Sequence, residues 1–316
     1  MIIQTTHLKK TFVTKGHIVQ SVKDVTISVD QGEIFGFIGP NGAGKTTTMR
    51  MLTTLLAPSE GEAFIAGLDL TKEQHAIRKK IGYVSQAGGL DPACTARENL
   101  FFQSQLHGLS DQEARTRTDE LVRTFLLESF ADRPVSTYSG GQKRRVDVAL
   151  ALVHNPQVLF LDEPTTGLDP QSRAHLWQEL LKIRERGTTI FLTTHYLDEA
   201  DTLCDRIAII DYGTIVAQGT PRVLKSQIGG DIVLLGIESS SDTLRELIKS
   251  QAYVREISES NDGFRICVDQ GEHALASLVR LIDQTNVPLQ KISLSRPTLD
   301  DVFLKQTGRS LRETSL

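Results

Sequence analysis

A glycine-rich segment near the start of the chain has the composition of a phosphate-binding loop. Residues 39–46 read GPNGAGKT, which fits the pattern G-x-x-x-x-G-K-[ST]. Glycines let the backbone turn sharply and aim its N–H groups at an anion, and the next helix presents the positive end of its dipole. Lys45 supplies a charge for β- and γ-phosphates, and the Thr46 hydroxyl is a ligand for Mg²⁺. The alternative is a chance glycine-rich turn, but an apolar strand before the loop and a helix after it favour a phosphate site.

Two carboxylates follow a second apolar run. Residues 158–161 read VLFL and are followed by Asp162 and Glu163. Neighbouring side chains at a strand end point in different directions, so the two carboxylates can do different work. One can hold Mg²⁺, usually through water, and the other can accept a proton from an attacking water molecule. An exposed turn would explain this pair if it stood alone, but the phosphate loop favours a site.

A third motif, YSGGQ at residues 138–142, precedes a helix. Ser139 is placed to cap that helix, and the two glycines leave backbone N–H groups free for a second anion. An ordinary capped helix is the alternative. The phosphate loop and this helix start are thus two phosphate-binding elements in one chain. A nucleotide bound between two copies of the chain would explain why both are present. The basic residues that follow, Lys143–Arg145, are interpreted as an exposed helix face.

The elements that position these motifs alternate in an α/β pattern up to about Gly219. Short apolar runs at 33–38, 158–161 and 189–193 are typical of strands buried in a mainly parallel sheet, and residues 22–29 alternate as a half-buried strand. Residues 46–56 predict a helix. The stretch 96–127 has few strand signals and several amphipathic segments, which indicates a helical insertion.

The chain changes character after Pro221. Gly229-Gly230 interrupts it, and apolar runs then alternate with helical segments in the order β-α-β-β-α-β, with an Asn-Asp-Gly hairpin turn at 261–263. This order resembles the split βαβ, ferredoxin-like unit. We therefore expect a small α+β domain over 229–308. It could stabilise a dimer, dock a partner or sense a ligand, and the first two are favoured.

Composition narrows the class of protein. The 316 residues carry a net charge of −4, which argues against retention on nucleic acid by bulk positive charge. The three cysteines are odd in number and form no CxxC pair, which argues against a disulfide framework or a cysteine zinc site. No apolar run approaches the roughly 18 residues of a membrane span, and the N-terminus lacks a signal-peptide pattern. We expect a cytoplasmic protein that reaches a membrane only through a partner.

Together the motifs resemble the ATP-binding cassette (ABC) family over roughly residues 2–221. The segments that carry the resemblance are GPNGAGKTTT, YVSQ ending at Gln86, YSGGQ, VLFLDEP, TTGLD ending at Asp169, and TIFLTT followed by His195. The family implies a P-loop cassette with a mainly parallel sheet, an antiparallel β subdomain and a helical subdomain at about 87–155. It also implies two cassettes head to tail with two ATP molecules in the interface.

The resemblance assigns roles residue by residue. Glu163 becomes the general base, His195 contacts the γ-phosphate, and Gln86 binds Mg²⁺ together with Thr46, supported by Asp162. Ser139 and Gly141 cap the γ-phosphate of the opposite chain, and Asp169 ties the two sites together. Phe12 stands where the family often has a tyrosine stacked on adenine. The phosphate-loop residues assigned to ATP are Gly39, Asn41, Gly42, Ala43, Gly44, Lys45, Thr46 and Thr47.

The C-terminal segment narrows the resemblance further. PTLDDVFLKQTG at 297–308 is similar to the end of drug-export ATPases of the daunorubicin-resistance type. This implies an ATP-hydrolysing subunit that powers a separate transmembrane permease by ATP-driven dimer closure. The subunit would be cytoplasmic and would lie peripherally on the inner face of the cell membrane through that permease. Its partners would be a second ATPase subunit, identical or paralogous, and the permease, with no nucleic acid.

Two other functions are compatible with parts of this sequence. A soluble ABC ATPase acting on ribosomes or DNA is the first, although such proteins commonly have two cassettes in one chain or long coiled coils. A nucleotide-binding regulator without turnover is the second, but Lys45 and Glu163 are both present. Cargo specificity is expected to lie in the separate membrane subunit, and the C-terminal segment favours export.

Overall fold

The structure, a computed structural model, describes residues 1–14, 16–237, 242–260, 263–285 and 287–308. It divides into two compact units, with the boundary between Thr220 and Pro221. None of the helices in the described ranges combines the length and the apolar character that a membrane span requires.

The first unit contains a large sheet and seven α-helices in its described residues. In chain order its elements are β1 (Ile3–Thr14), β2 (His17–Val25), β3 (Ser28–Val29), β4 (Ile34–Ile38), α1 (Lys45–Leu52), β5 (Glu60–Ile65), β6 (Leu68–Asp69), α2 (Gln74–Arg78), β7 (Ile81–Val84), α3 (Ala96–Leu106), α4 (Asp111–Thr124), α5 (Gly140–Ala151), β8 (Val158–Asp162), α6 (Pro170–Glu185), β9 (Thr189–Thr194), α7 (Leu197–Leu203), β10 (Arg206–Asp211) and β11 (Thr214–Gly219).

Five parallel strands form the centre of this sheet, in the order β10-β4-β9-β8-β7. Every residue of β4, β8 and β9 is buried, as their continuous apolar sequences predict. The Phe191 ring packs 5.6 Å from Phe35 and 5.6 Å from Phe160 between ring centroids. Because β4, β9 and β8 are adjacent and parallel, the segments after their carboxyl ends meet at one edge of the sheet.

An antiparallel portion extends the sheet beyond β11 through β2, β1, β5 and β6, while β3 pairs with the start of β1. The single strand expected over 22–29 is wrong, because β2 ends at Val25 and β3 begins at Ser28. The Thr5 hydroxyl explains the break: it donates to the Val25 carbonyl oxygen (2.8 Å) and accepts from the Ile27 N–H (3.0 Å). Hydrogen bonds to the Thr5 side chain thus replace backbone hydrogen bonds between strands at this bend.

Helices α3 and α4 lie between β7 and β8 along the chain, where the helical insertion was expected. Each begins with a reciprocal capping box, Thr95 with Glu98 and Ser110 with Glu113. Leu100 and Leu121 are among their buried residues. The insertion is therefore held by its own caps and its own apolar faces.

The second unit contains α8 (Pro221–Ser226), β12 (Asp231–Ile237), α9 (Asp242–Lys249), β13 (Val254–Ser260), β14 (Gly263–Val268), α10 (Gly271–Asp283), β15 (Leu289–Ser295) and α11 (Leu299–Thr307). Its sheet is antiparallel, in the order β13-β14-β12-β15. Leu235, Phe264 and Leu278 belong to its own apolar core. The predicted βαββαβ unit is confirmed, while residues 261–262 of the predicted hairpin turn lie outside the described residues.

Candidate active site

The phosphate loop connects β4 to α1. Gly42 and Gly44 have φ angles of +79° and +109°, a region that favours glycine. A Cβ added at Gly44 would also lie 2.6 Å from the Ser21 carbonyl oxygen. The loop therefore needs glycine at this position for its backbone conformation and for its close approach to β2.

A cavity of about 440 Å³ opens beside this loop. Its size is in the range of small-molecule sites. The residues that line it are Ser21, Asn41, Gly42, Gly44, Lys45, Thr46, Thr47, Gln86, Glu163, Thr166 and His195. The tertiary fold thus gathers four sequence motifs, the phosphate loop, the Gln86 segment, the strand end at Glu163 and His195, around one cavity.

Lys45 is buried at the base of the site, with 5% of its side chain exposed. Its Nζ donates to the carbonyl oxygens of Gly39 (2.7 Å) and Pro40 (3.1 Å) and lies 3.5 Å from Glu163 Oε1. Burial lowers the pKa of Lys45, and the neighbouring Glu163 opposes that shift. The lysine is therefore a positioned cation that can exchange its carbonyl contacts for a stronger anion.

Glu163 follows β8 in a left-handed conformation with φ of +46°. Its N–H donates to the Thr193 carbonyl oxygen and to Thr193 Oγ1, both at 3.1 Å. Its carboxylate lies 3.3 Å from His195 Nδ1 and accepts from Gln86 Nε2 (3.4 Å) and Thr166 Oγ1 (3.3 Å). The His195 side chain lowers the pKa of Glu163, burial raises it and Lys45 lowers it, with a net decrease.

Asp162 is buried one residue earlier, at the end of β8. Its Oδ1 accepts a 2.6 Å hydrogen bond from Thr193 Oγ1 and one of 3.4 Å from Thr46 Oγ1. A threonine hydroxyl beside a carboxylate, with the Gln86 side chain on the same cavity, is an oxygen-rich set. Mg²⁺ prefers such ligands, so these residues fit the metal that the motifs imply.

Several predicted ligand residues lie outside the cavity lining of their own chain. They are Phe12, Gly39, Ala43, Ser139, Gly141, Asp162 and Asp169. Gly39 contributes its carbonyl to Lys45, and the Ala43 N–H donates to the Pro40 carbonyl oxygen. Phe12 lies on β1 opposite Val19 of β2 and is partly exposed. Its predicted contact with adenine stays a prediction.

Ser139 caps α5, as the sequence predicts. Its side chain accepts from the Gln142 N–H, and the Gln142 side chain accepts from the Ser139 N–H in a capping box. Asp169 caps α6 by accepting from the Ser172 N–H (2.9 Å) and the Ser172 hydroxyl (2.6 Å). Both Ser139 and Asp169 are exposed, so a second chain can reach them.

The interpretation of Lys143–Arg145 as an exposed face is wrong, because Lys143 and Arg145 are only half-exposed and Arg144 is buried. Only 7% of that residue is exposed, and its guanidinium donates to three backbone carbonyl groups beside the site. A signal was present in the sequence, because Arg144, Val148 and Ala151 follow the i, i+4, i+7 spacing of one helix face. That face is buried, and Arg144 shares it with the apolar residues.

Three hydroxyl-bearing residues of the site were not predicted from the sequence. Ser21 Oγ lies 2.9 Å from Thr47 Oγ1, Thr166 contacts Glu163, and Thr193 contacts both Asp162 and Glu163. Ser21 has no sequence signal, because it comes from β2, 26 positions before Thr47. Thr193 had a weak one, since it lies two positions before His195 at the end of an apolar strand.

Comparison with known proteins agrees with this geometry. Residues 22–166 match the family model described as ABC transporter, and residues 219–307 match that of the C-terminal domain of ATP-binding protein DrrA1-3-like. The fold and the site thus define a P-loop ATPase of the ATP-binding cassette type. The chain belongs to the ABC transporter family, among its ATP-binding subunits.

Individual relatives cover nearly the whole chain. It is 41% identical to the daunorubicin/doxorubicin resistance ATP-binding protein DrrA of Streptomyces peucetius, over 94% of this chain and 90% of that protein. It is 36% identical to the linearmycin resistance ATP-binding protein LnrL of Bacillus subtilis (strain 168), over 99% and 100%. It is 39% identical to the Nod factor export ATP-binding protein I of Ralstonia nicotianae, over 93% and 91%.

A solved structure matches the cassette portion. It is the dimeric, post-hydrolysis state of the ATP-binding cassette MJ0796 bound to ADP and Pi, with a TM-score of 0.64 and 31% sequence identity. The match covers 69% of this chain and 98% of that one. The cassette fold expected from the motifs is therefore confirmed.

Proposed function

We propose that this chain is the ATP-hydrolysing subunit of an exporter of drugs or other hydrophobic compounds. The observation that carries the proposal is the position of Glu163, whose carboxylate lies within 3.5 Å of Lys45, Gln86 and His195 on the cavity beside the phosphate loop. The printed names of the relatives, which are resistance and export ATP-binding proteins, supply the cargo class. They also favour transport over action on ribosomes or DNA.

Phosphoryl transfer to water requires mainly positioning and charge stabilisation from the protein. Glu163 is the general base: its carboxylate is ionised, since its pKa is lowered, and it accepts a proton from the attacking water. His195 holds that carboxylate on one side and contacts the γ-phosphate. Lys45 and the N–H groups of the loop from Asn41 to Thr47 stabilise the phosphate charge.

Thr46, Gln86 and Asp162 are the residues that would hold Mg²⁺. The metal neutralises phosphate charge when it is bound. Thr193 orients Asp162 through the 2.6 Å hydrogen bond, so the carboxylate has a defined direction before ATP arrives. Such second partners of a metal ligand commonly tune its affinity.

Two copies of this chain, or this chain and a paralogue, clamp each ATP between them. Ser139 and Gly141 lie at the exposed start of α5 and cap the γ-phosphate held by the partner, and Asp169 links the two sites. ATP then stabilises the closed pair and hydrolysis releases it, which is the differential affinity that a two-state switch needs. The dimeric state of MJ0796 supports this arrangement.

A separate integral membrane permease is the second partner, and it places this chain at the inner face of the cell membrane. We assign residues 1–221 to the cassette, about 87–155 to its helical subdomain and 229–308 to an accessory domain. The helical segments after Gln86, α3 and α4, dock the permease. The accessory domain stabilises the dimer or contributes to that docking.

The test is hydrolysis by the purified chain together with a variant of the base. Wild type should show Mg²⁺-dependent ATPase activity, and Glu163→Gln should lower kcat by about 10²- to 10⁴-fold while ATP stays bound. Size-exclusion chromatography of that variant with ATP should show a dimer. Glu185→Gln, at an exposed position of α6, is the matched control and should behave as wild type. An active Glu163→Gln enzyme would refute this choice of base.

A further inference from the structure

One buried arginine contacts the backbone on both sides of Glu163. Arg144 lies on α5, and its Nη2 donates to the Asp162 carbonyl oxygen (3.1 Å) while its Nε donates to that of Pro164 (2.8 Å). Glu163 lies between these two carbonyl groups in its left-handed conformation. A non-glycine residue in that conformation costs free energy and persists only where its surroundings hold it. The Arg144 guanidinium supplies two such contacts.

The same helix also holds both ends of the segment that carries Gln86. Arg144 Nη1 donates to the Ser85 carbonyl oxygen (2.7 Å), on one side of Gln86. Asp147, one turn further along α5, accepts from the Gly89 N–H at 2.9 Å on the other side. A Cβ added at Gly88 would lie 2.7 Å from Asp147 Oδ2, so the backbone approaches this carboxylate as closely as glycine permits.

The chemistry of these contacts requires an arginine. A guanidinium offers five N–H donors in a planar fork, and here its Nε, Nη1 and Nη2 each reach a different carbonyl group. A lysine has one nitrogen on a flexible stem and cannot span three acceptors in fixed directions. Loss of the fork would leave buried carbonyl groups without donors.

We propose that Arg144 and Asp147 are positioning residues that hold Glu163 and Gln86 in register for ATP hydrolysis. The proposal rests on the function proposed above for those two side chains. Arg144 and Asp147 act through backbone groups and do not touch the reacting atoms. Displacement of a reacting group by about 1 Å can cost about 10²-fold in rate. The hydrogen bonds of Arg144 and Asp147 described above are made outside the phosphate loop, so ATP binding by that loop should be affected less than the rate.

The experiment separates catalysis from binding in Arg144→Lys. It measures kcat for ATP hydrolysis, the dissociation constant of ATP in the absence of Mg²⁺, to which Gln86 as a proposed metal ligand does not contribute, and the melting temperature. We expect kcat to fall by about 10- to 100-fold, with ATP affinity within about threefold of wild type. Arg145→Lys is the matched control: the same substitution, one position later, at a residue whose side chain donates to Phe125 and Leu126 instead. Its kcat should stay within about threefold of wild type.

A second pair of variants keeps the proposal testable if Arg144→Lys does not fold. Asp147→Asn retains an oxygen acceptor for the Gly89 N–H and should keep kcat within about threefold, whereas Asp147→Ala should lower it about tenfold or more. Equal kcat in both Asp147 variants, or wild-type kcat in a folded Arg144→Lys, would overturn the proposal. An inactive wild-type chain would instead refute the proposed function, so the two failures are distinguishable.

Discussion

Glu163 Oε1 and His195 Nδ1 lie 3.3 Å apart, at the ends of two neighbouring parallel strands. This contact is the largest cause of the lowered pKa of Glu163. It keeps the carboxylate ionised at pH values where an isolated glutamate begins to bind protons. A general base that stays charged can accept a proton over a wider range of pH.

The acid limb of ATP hydrolysis should therefore depend on His195. In wild type, kcat/KM should persist as the pH falls towards the ordinary glutamate pKa of 4.5, because the folded-state pKa is lower. In His195→Asn the pKa of Glu163 should rise, and the acid limb should move to higher pH. A pH profile of both proteins, with His175→Asn at an exposed position as the control, measures this.

The lowered pKa of Glu163 also affects the stability of the folded protein. A carboxylate whose pKa is lower in the folded than in the unfolded state stabilises the folded state when the pH is above its unfolded-state pKa. That contribution is lost as the pH falls through the folded-state pKa. Wild type should accordingly lose more of its free energy of unfolding than His195→Asn between about pH 6 and pH 3. Identical profiles in the two proteins would contradict the role assigned to the His195 contact.

Thr193 should set the Mg²⁺ requirement of the enzyme. Thr193→Val removes the donor to Asp162 Oδ1 at 2.6 Å, so the carboxylate loses its fixed direction. We expect the Mg²⁺ concentration for half-maximal activity to rise about tenfold. Thr189→Val, at the start of the same strand, removes a comparable contact with the Gly32 N–H and is the control. An equal Mg²⁺ requirement in the two variants would disprove the assignment.

Glycine is needed at position 141 for packing against Ser172, in addition to the predicted role of Gly141 as a phosphate ligand. A Cβ at this position would lie 2.5 Å from Ser172 Oγ and 2.9 Å from Ser172 Cβ. Gly141→Ala should cost about 1–3 kcal/mol in the free energy of unfolding. Gly140→Ala is the control, because its Cβ would meet only Leu168 Cδ2 at 3.9 Å. Thermal melts compare the two, and a Gly141→Ala variant as stable as Gly140→Ala would contradict the clash.

Glu199 is a fully buried carboxyl group on α7. Its Oε1 accepts a 3.1 Å hydrogen bond from the Trp177 indole, and burial raises its pKa. A carboxyl group whose pKa is higher in the folded than in the unfolded state makes its full contribution to stability when the pH is below its unfolded-state pKa. That contribution is lost as the pH rises through the folded-state pKa. Glu199→Gln should remove this loss of stability towards alkaline pH and keep an acceptor for Trp177.

Glu199→Ala should behave differently from the glutamine variant. It leaves the buried indole N–H without an acceptor and opens a cavity, at a cost of about 2–4 kcal/mol in the free energy of unfolding. Denaturant unfolding at pH 5 and pH 8 measures both effects. Parallel pH dependence in wild type and Glu199→Gln would show that this carboxyl group does not titrate as expected.

The sequence alone determined the motifs whose geometry is local. The phosphate loop needs glycines at positive φ, a lysine and a following helix, all within residues 39–52, so its spacing was sufficient to predict it. The Ser139 cap and the buried strands before Asp162 and His195 are local in the same sense. Their common edge came from the tertiary structure, in which β8 and β9 are adjacent and parallel and therefore end on one side of the sheet.

Only the tertiary structure decided which side chains support those motifs. Ser21, Thr193 and Arg144 contact partners 26, 31 and up to 59 positions away. The helix-face spacing of Arg144 and the position of Thr193 near His195 indicate burial or proximity to the site, but they do not identify these partners. Arg144 shows the physical reason most clearly. Its charge predicts exposure, but three carbonyl acceptors in the interior satisfy its donors, and burial then becomes favourable.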